Sequence, residues 1–171
     1  MKPITIIVAR DRQGVIGYRG KVPFRLKEDM KLFRNYTKRN NVIMGRKTWD
    51  SLPFEHKPLP LRRNIIISRT MRPALNGEYI LAKSPQLALM ASENIPGETF
   101  VIGGSEIYAH FLPMAERLIV TDVHTDLETN PEFTDLFPFL DEDEWEEESK
   151  LMVPADIDNQ FDFTQRVLRR K

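Results

Sequence analysis

Short runs rich in isoleucine and valine recur along the chain, and stretches with helical periodicity lie between them. Several of these runs are continuously apolar, which is typical of strands covered on both faces of a sheet. The predicted strands are 4–9, 41–44, 64–68, 78–82, 99–104 and 117–123, and the predicted helices are 26–37, 46–52, 84–94 and 105–114. This alternation predicts an α/β fold, a mostly parallel central sheet flanked by about four helices.

The end of the chain follows a different pattern. Residues 145–153 and 161–170 both have the character of strands, and only the polar stretch PADIDNQ separates them. Two strands without an intervening helix pair antiparallel, so we expect this pair at one edge of a mixed sheet. The acidic run 141–148 is typical of a solvated turn that leads into an edge strand.

One carboxylate interrupts the apolar face of the first predicted helix. At 100° per residue, Asp29 falls inside an apolar stripe. The other members of the stripe are Leu26, Met30, Phe33, Tyr36 and Thr37. A carboxylate in the first turn often simply stabilises the start of a helix. The alternative is a largely apolar pocket, in which the ionised group needs a hydrogen-bonding or cationic partner. That partner could be a ligand.

The composition excludes several classes of function. The 171 residues are enough for one domain with a full core. The 25 Lys and Arg residues balance 25 Asp and Glu residues, so no overall charge attracts nucleic acid or an anionic membrane. The chain has no cysteine, which excludes disulfides and thiolate chemistry and is compatible with a reducing cytoplasm. The histidines 56, 110 and 124 lack the spacing of metal ligands, and the first apolar run is too short for a membrane span.

Two glycine turns follow buried strands and open helices. The turn 45–48, GRKT, places free backbone N–H groups and two cations at a helix N-terminus, which suits phosphate. Gly103 and Gly104 allow a ligand or another backbone to approach closely. Neither turn has the Walker A or the Gly-x-Gly-x-x-Gly pattern. Taken singly, the first turn fits a strand end followed by surface cations equally well, and an ordinary turn is the favoured interpretation of the second.

A proline-rich loop, PLPLRR, presents Arg62 and Arg63 at the entrance of a strand. An arginine in that position can bind a carboxylate bidentately. More often such arginines are solvated, so the loop does not define a site without further information.

In this order, the segments resemble dihydrofolate reductase of the monofunctional bacterial type. The segments that carry the resemblance are GVIGYRGKVPFRLKEDMKLF, NNVIMGRKTWDSL, PLPLRRNIIISR, FVIGGSEIYAHFLP and RLIVTDV. FPFLDEDEWE and the terminal strand pair extend it to nearly the full length. The resemblance implies one dihydrofolate reductase domain over residues 1–171, with the mixed, mostly parallel sheet of that family.

The resemblance also implies a reaction, in which NADPH reduces 7,8-dihydrofolate to 5,6,7,8-tetrahydrofolate for one-carbon metabolism. Hydride would pass to C6, and N5 would gain a proton from water. Asp29 would bind N3 and the 2-amino group of the pterin and favour its protonated form electrostatically. Thr121 would support Asp29, and Tyr108 would lie near the two reacting rings. The family further implies antifolate inhibitors as ligands, a monomer and a cytoplasmic location.

The remaining site residues are implied by the same resemblance. Those expected to bind the substrate are Ile7, Val8, Met30, Phe33, Leu52, Leu59, Arg62 and Ile102, where Arg62 would bind the α-carboxylate of the glutamate and the others would also belong to the core. Those expected to bind the cofactor are Ala9, Ile16, Gly17, Arg46, Lys47, Thr48, Ser68, Arg69, Gly103, Gly104 and Ser105. Arg46, Ser68 and Arg69 would contact the 2′-phosphate, which predicts NADPH over NADH.

Three features depart from the family pattern. Phe24 occupies a catalytic position where the family usually has tryptophan, so an indole N–H that orders a water near the pterin is missing. Antifolate affinity is expected to differ at Val22, Phe24 and Met30. The family's Gly-Asp-x-x-Phe-Pro is here FTDLFP, with Thr134 and Asp135 inside it, which leaves the loop contacts of the active-site lid undefined. PFEHK, residues 53–57, is longer than the shortest family pattern and is expected to alter the rim around the glutamate tail.

Two other functions compete with this interpretation. A riboflavin-pathway reductase shares the fold and uses NADPH, but it does not need an acid on the apolar face of the first helix. A catalytically silent folate- or nucleotide-binding protein would bind without turnover, and only Phe24 points to it.

Overall fold

Ten strands and four α-helices make up the fold, and the structure, a computed structural model, describes residues 1–171. The strands are β1 Ile4–Arg10, β2 Val15–Tyr18, β3 Asn41–Gly45, β4 Arg63–Ile67, β5 Ile80–Ala82, β6 Thr99–Val101, β7 Arg117–Val123, β8 Thr134–Leu136, β9 Trp145–Val153 and β10 Phe163–Arg170. The helices are α1 Lys27–Thr37, α2 Arg46–Ser51, α3 Pro85–Glu93 and α4 Ser105–Phe111. Short 3₁₀ turns lie at 54–56, 112–114, 131–133 and 142–144.

Eight of the strands form one sheet in the order β5-β4-β3-β6-β1-β7-β10-β9. The strands from β5 to β7 are parallel, whereas β10 pairs antiparallel with β7 and β9. The predicted mixed sheet with a C-terminal antiparallel pair is therefore confirmed. After β3 the chain continues outward through β4 and β5, and after β6 it continues in the opposite direction to β7. This reversal opens a crevice beyond the carboxyl ends of β3 and β6, the usual ligand position in such sheets.

The sheet separates two core layers. On one face, α1 and α2 cover a cluster that contains Ile7, Phe33 and Trp49. On the other face, α3 and α4 cover a larger cluster that contains Val8, Tyr108 and Trp145. Alternation along β1 places the neighbours Ile7 and Val8 in different layers. Both faces of the central strands are thus buried, as their continuous apolar runs predict.

Local signals account for several helix and strand ends. Ser84 caps α3 as predicted, because its Oγ accepts a hydrogen bond from the Leu87 N–H at 3.2 Å and Pro85 follows it. The fourth predicted helix is shorter than expected, since α4 ends at Phe111 and a 3₁₀ turn containing Pro113 follows. The strand predicted over 99–104 ends at Val101, just before the glycine turn. No helix combines the length and the apolar character that crossing a membrane requires.

A second sheet of two antiparallel strands, β2 and β8, was not predicted. It pairs the segment after β1 with the FTDLFP segment, placing Gly17 opposite Asp135. A Cβ on Gly17 would lie 2.9 Å from Oδ2 of Asp135, so a larger residue would push these strands apart. The contacts that the sequence left undefined around Thr134 and Asp135 are therefore a short β-ladder.

Candidate active site

Asp29 lies in the first turn of α1 and has one hydrogen-bonding partner in the chain. Thr121 on β7 donates its hydroxyl to Oδ1 of Asp29 at 2.6 Å. None of the ion pairs includes Asp29. Burial raises the pKa of Asp29, and the hydrogen bond from Thr121 acts in the opposite direction. A carboxylate can accept about four hydrogen bonds, so Asp29 keeps most of its acceptor capacity for a ligand with N–H donors.

Tyr108 closes this part of the site from α4. Its hydroxyl donates to the carbonyl oxygen of Ile7 at 2.9 Å. Burial, followed by the negative charge of Asp29, raises the pKa of Tyr108 well above its usual value. A Cβ on Gly103, whose φ is 111°, would lie 2.9 Å from the Tyr108 ring. Gly103 is therefore required both by its backbone conformation and by the position of the tyrosine.

Five of the apolar residues that the resemblance assigned to the substrate share one cluster beneath α1. Ile7 and Leu59 are buried in it, and Phe33, Leu52 and Ile102 pack against it. Val8 belongs to the other layer, since its side chain lies on the opposite face of the sheet.

Met30 does not double as a core residue, contrary to the expectation, because 53% of its surface is exposed and it joins no cluster. Periodicity placed it in the apolar stripe of the helix, but no part of the chain covers that position. Phe24 packs instead against the small cluster of Leu26, Val123 and Phe163. A phenyl ring offers no hydrogen-bond donor there.

Arg62 lies half-buried at one end of this apolar cluster. Its Nη1 donates to Oγ1 of Thr37 at 3.2 Å, and its Nε donates to the carbonyl of Pro60 at 2.8 Å. No carboxylate pairs with it. Burial and the neighbouring Arg34 lower the pKa of Arg62. The cleft beside it is lined by Arg39, Leu61, Arg62, Arg63, Ile95 and Pro96, without any acidic side chain. This region is suited to an anionic group.

The two glycine turns meet at the crevice between β3 and β6. The Gly45 N–H donates to the Gly103 carbonyl at 2.8 Å. A Cβ on Gly104 would lie 3.6 Å from Oγ1 of Thr48, so the start of α2 faces the second turn. The Ser105 hydroxyl at the start of α4 is buried without a partner in the chain. Neither helix has a side-chain cap, and their first backbone N–H groups remain available to an anion.

The cations expected to read the 2′-phosphate lie along one rim of this crevice. Nη1 of Arg46 donates to Oγ1 of Thr70 at 2.6 Å, which places Arg46 beside the turn that carries Ser68 and Arg69. Arg46 also pairs loosely with Asp50, at 3.4 Å. The Ser68 Oγ accepts hydrogen bonds from the backbone N–H groups of residues 70 and 71, so only its own proton is left for a ligand. Lys47 and Arg69 are exposed.

The other residues assigned to the cofactor border the same side less directly. Ala9 on β1 stands in register with Thr121, beside the Asp29 site. The Ile16 side chain is buried in the larger core cluster, so only its backbone is available to a ligand. No group of three or more His, Asp or Glu side chains could hold a metal ion.

Comparison with known proteins decides which family this arrangement represents. The sequence model described as "Dihydrofolate reductase" matches residues 3–170. The chain belongs to the dihydrofolate reductase family. It is 41% identical over 143 residues to dihydrofolate reductase of Mycobacterium tuberculosis, which covers 83% of this chain and 84% of the relative. It is 34% identical to the Staphylococcus haemolyticus enzyme, covering 98% and 95% of the two chains.

Among solved structures, the chain resembles dihydrofolate reductase from Enterococcus faecalis complexed with NADP(H) and RAB-propyl. The TM-score is 0.86 at 26% identity, and the match covers 99% of this chain and 96% of the other. The expected family, fold and enzyme class are therefore confirmed: the chain is an oxidoreductase of this family.

Proposed function

We propose that this chain reduces 7,8-dihydrofolate to 5,6,7,8-tetrahydrofolate with NADPH, and that Asp29 is the residue that orients the pterin ring. The observation that carries the proposal is a partly buried carboxylate that no cation neutralises and that only Thr121 supports. Such a group is stabilised by a ligand that brings its own N–H donors, and the N3 and 2-amino positions of a pterin are two adjacent donors.

Asp29 acts electrostatically in this proposal. Its negative charge favours a protonated, electron-poor pterin, which accepts hydride more readily. Tyr108 does not serve as the proton donor, because its hydroxyl is committed to Ile7 and its raised pKa keeps the proton in place. The proton for N5 comes from water, and Phe24, which has no N–H, does not orient that water.

The apolar cluster and Arg62 place the rest of the substrate. Leu52, Leu59, Phe33 and Ile102 form an apolar surface for the pterin and the aryl group, with Met30 exposed at its rim. Arg62 binds the α-carboxylate of the glutamate, because no carboxylate of the chain neutralises its guanidinium and the cleft beside it has no acidic side chain.

The residues of the crevice fit a dinucleotide with phosphates. The orphaned Ser105 hydroxyl, the uncapped start of α2 and the exposed cations 46, 47 and 69 together supply donors for several phosphate oxygens. NADPH supplies the hydride from C4 of its nicotinamide when it is bound. The backbone of Gly103, Gly104 and Gly17, together with Ala9, borders the ring and the pyrophosphate, while Arg46, Ser68 and Arg69 distinguish the 2′-phosphate.

We further propose one domain over residues 1–171, a cytoplasmic monomer that binds antifolates and neither nucleic acid nor membranes. The family match from residue 3 to 170 supports the single domain, and the balanced charge supports the absence of polyanion binding. Sedimentation equilibrium tests the monomer.

Dihydrofolate-dependent oxidation of NADPH, compared with NADH on the purified protein, tests the main proposal. Rapid turnover with a clear preference for NADPH is the expected result. Binding of NADPH without turnover would instead identify a silent binding protein or a different substrate.

A further inference from the structure

A glutamine lies where the alternation of β10 calls for an apolar residue. Phe163 and Val167 on this strand both face the α1 side of the sheet, where they pack in apolar clusters. Gln165 lies between them on the same face and is only 5% exposed. Burying an amide without hydrogen bonds costs free energy. We therefore expect the Gln165 side chain to have a polar partner in this layer.

That partner is Thr121 on the adjacent strand. In the antiparallel ladder of β7 and β10, Phe163 stands opposite Val123, Gln165 opposite Thr121 and Val167 opposite Ile119. Two apolar pairs therefore flank one polar pair. Nε2 of Gln165 donates to Oγ1 of Thr121 at 3.5 Å, which is longer than most N–H···O hydrogen bonds and makes this one weak. It is the one hydrogen bond that the Gln165 side chain makes.

The two hydrogen bonds form a directed chain that ends at Asp29. Thr121 has a single hydroxyl proton, which it donates to Oδ1 of Asp29. Its oxygen lone pairs are then free to accept the amide N–H of Gln165. If Asp29 were protonated and donated to Thr121, the Thr121 hydroxyl proton would turn toward the Gln165 N–H. Two donors would then face each other, which is unfavourable. The amide therefore fixes the direction of the Thr121 hydroxyl and strengthens it as a donor to the ionised carboxylate.

We propose that Gln165 is a positioning residue for the reduction, which acts through Thr121 to hold Asp29 ionised and correctly oriented toward the pterin. This inference rests on the proposed role of Asp29. The titratable group coupled to Asp29 is Tyr108 on α4, whereas β7 and β10 present Thr121 and Gln165, neither of which titrates. Tyr108 stays protonated through the neutral range, so a shift at Asp29 reports on the chain of hydrogen bonds.

The decisive measurement is a ¹³C NMR titration of the Asp29 carboxyl, assigned by its loss in Asp29→Asn. Gln165→Met keeps the length of the side chain and removes the amide. We expect it to raise the pKa of Asp29 by roughly 0.3 units, the low end of what one hydrogen bond implies, because this bond is long and acts through Thr121. We also expect a several-fold slower hydride transfer near neutral pH, at a similar affinity for NADPH.

Thr164→Val is the matched control. Thr164 is the buried neighbour of Gln165 on the same strand, and its hydroxyl bonds His124 at 2.9 Å instead of Thr121. This variant should leave the Asp29 titration unchanged. An identical titration in Gln165→Met and in the unmodified protein would overturn the inference.

A second measurement does not depend on the folding of Gln165→Met. In the unmodified protein the ¹⁵N side-chain amide signal of Gln165 should titrate together with Asp29, and this titration should vanish in Thr121→Val. An amide signal insensitive to Asp29 would contradict the proposal. Because neither titration requires turnover, a failure of the dihydrofolate assay would overturn the proposed function without being mistaken for a failure of this inference.

Discussion

The two sides of the proposed active site differ in how they hold charge. On the substrate side, one partly buried carboxylate depends on Thr121 and on an apolar cluster. On the cofactor side, backbone N–H groups of two glycine turns combine with cations that are exposed to solvent. A charge shielded from solvent interacts strongly and depends on few partners. Exposed charges are screened by solvent, and several of them contribute to binding the same group. Substitutions on the two sides should therefore differ in size and in the kinetic constant that they change.

The largest effect is expected for Asp29→Asn. The amide keeps the shape and loses the charge, so the protonated pterin is no longer favoured. Turnover near pH 7 should fall about a hundredfold or more, while the dissociation constant for NADPH stays within about twofold. Stopped-flow hydride transfer and a fluorescence titration with NADPH measure the two quantities. Unaltered turnover would remove Asp29 from the mechanism.

Arg62→Gln should have the next largest effect, and on a different constant. Loss of a charge-assisted hydrogen-bond pair should raise KM for dihydrofolate roughly 10- to 100-fold with little change in kcat. Arg63→Gln is the control, since Arg63 lines the same cleft but is exposed. Steady-state kinetics give the KM for dihydrofolate of both variants. The same KM in Arg62→Gln and Arg63→Gln would show that the glutamate binds elsewhere.

Arg46→Ala should weaken the binding of NADPH by only about fivefold, because exposed ion pairs contribute little binding energy and Arg69 remains nearby. KM for NADH, which lacks the 2′-phosphate, serves as the internal control and should not change. A similar loss for both cofactors would show that Arg46 supports the structure of the turn instead of reading the phosphate.

The smallest expected effect is on the free energy of unfolding of Asp29→Asn and on how it changes with pH. Burial raises the pKa of Asp29 above the ordinary value of 3.8, so the native state binds this proton more tightly than the unfolded state does. The stabilising contribution is complete below that ordinary value and is lost as pH rises through the native pKa. Relative to the unmodified protein, Asp29→Asn should therefore gain stability as pH rises from 4 toward 8 in urea unfolding series. A stability difference that is the same at every pH would show that Asp29 titrates alike in both states.

Much of the fold was accessible from the sequence because its signals are local. Continuous apolar runs identified the central strands, and Ser84 with Pro85 marked the start of α3. Strands β2 and β8 escaped prediction because they have four and three residues and lack an alternating pattern. Their pairing joins segments far apart in the chain, which no local signal describes.

The site was predictable where a residue contradicted its own pattern, as Asp29 does in the apolar stripe of α1. Gln165 contradicts the pattern of β10 in the same way, but its significance depends on facing Thr121 across a strand pair 44 residues apart. Periodicity also placed Met30 in the apolar stripe of α1 without revealing that nothing covers it. The sequence pattern predicts the direction in which a side chain points, but only the tertiary structure shows which residues lie next to it.

The division of the core by the sheet also gives the molecule two separate optical reporters. The chain has two tryptophans, with Trp49 in the layer beneath α1 and α2 and Trp145 in the layer beneath α3 and α4. Trp49 lies 5.1 Å from the Tyr79 ring, and the Arg170 guanidinium stacks 4.3 Å above Trp145. The two indoles therefore have different neighbours, and replacing either one by phenylalanine leaves a single fluorophore on one face of the sheet.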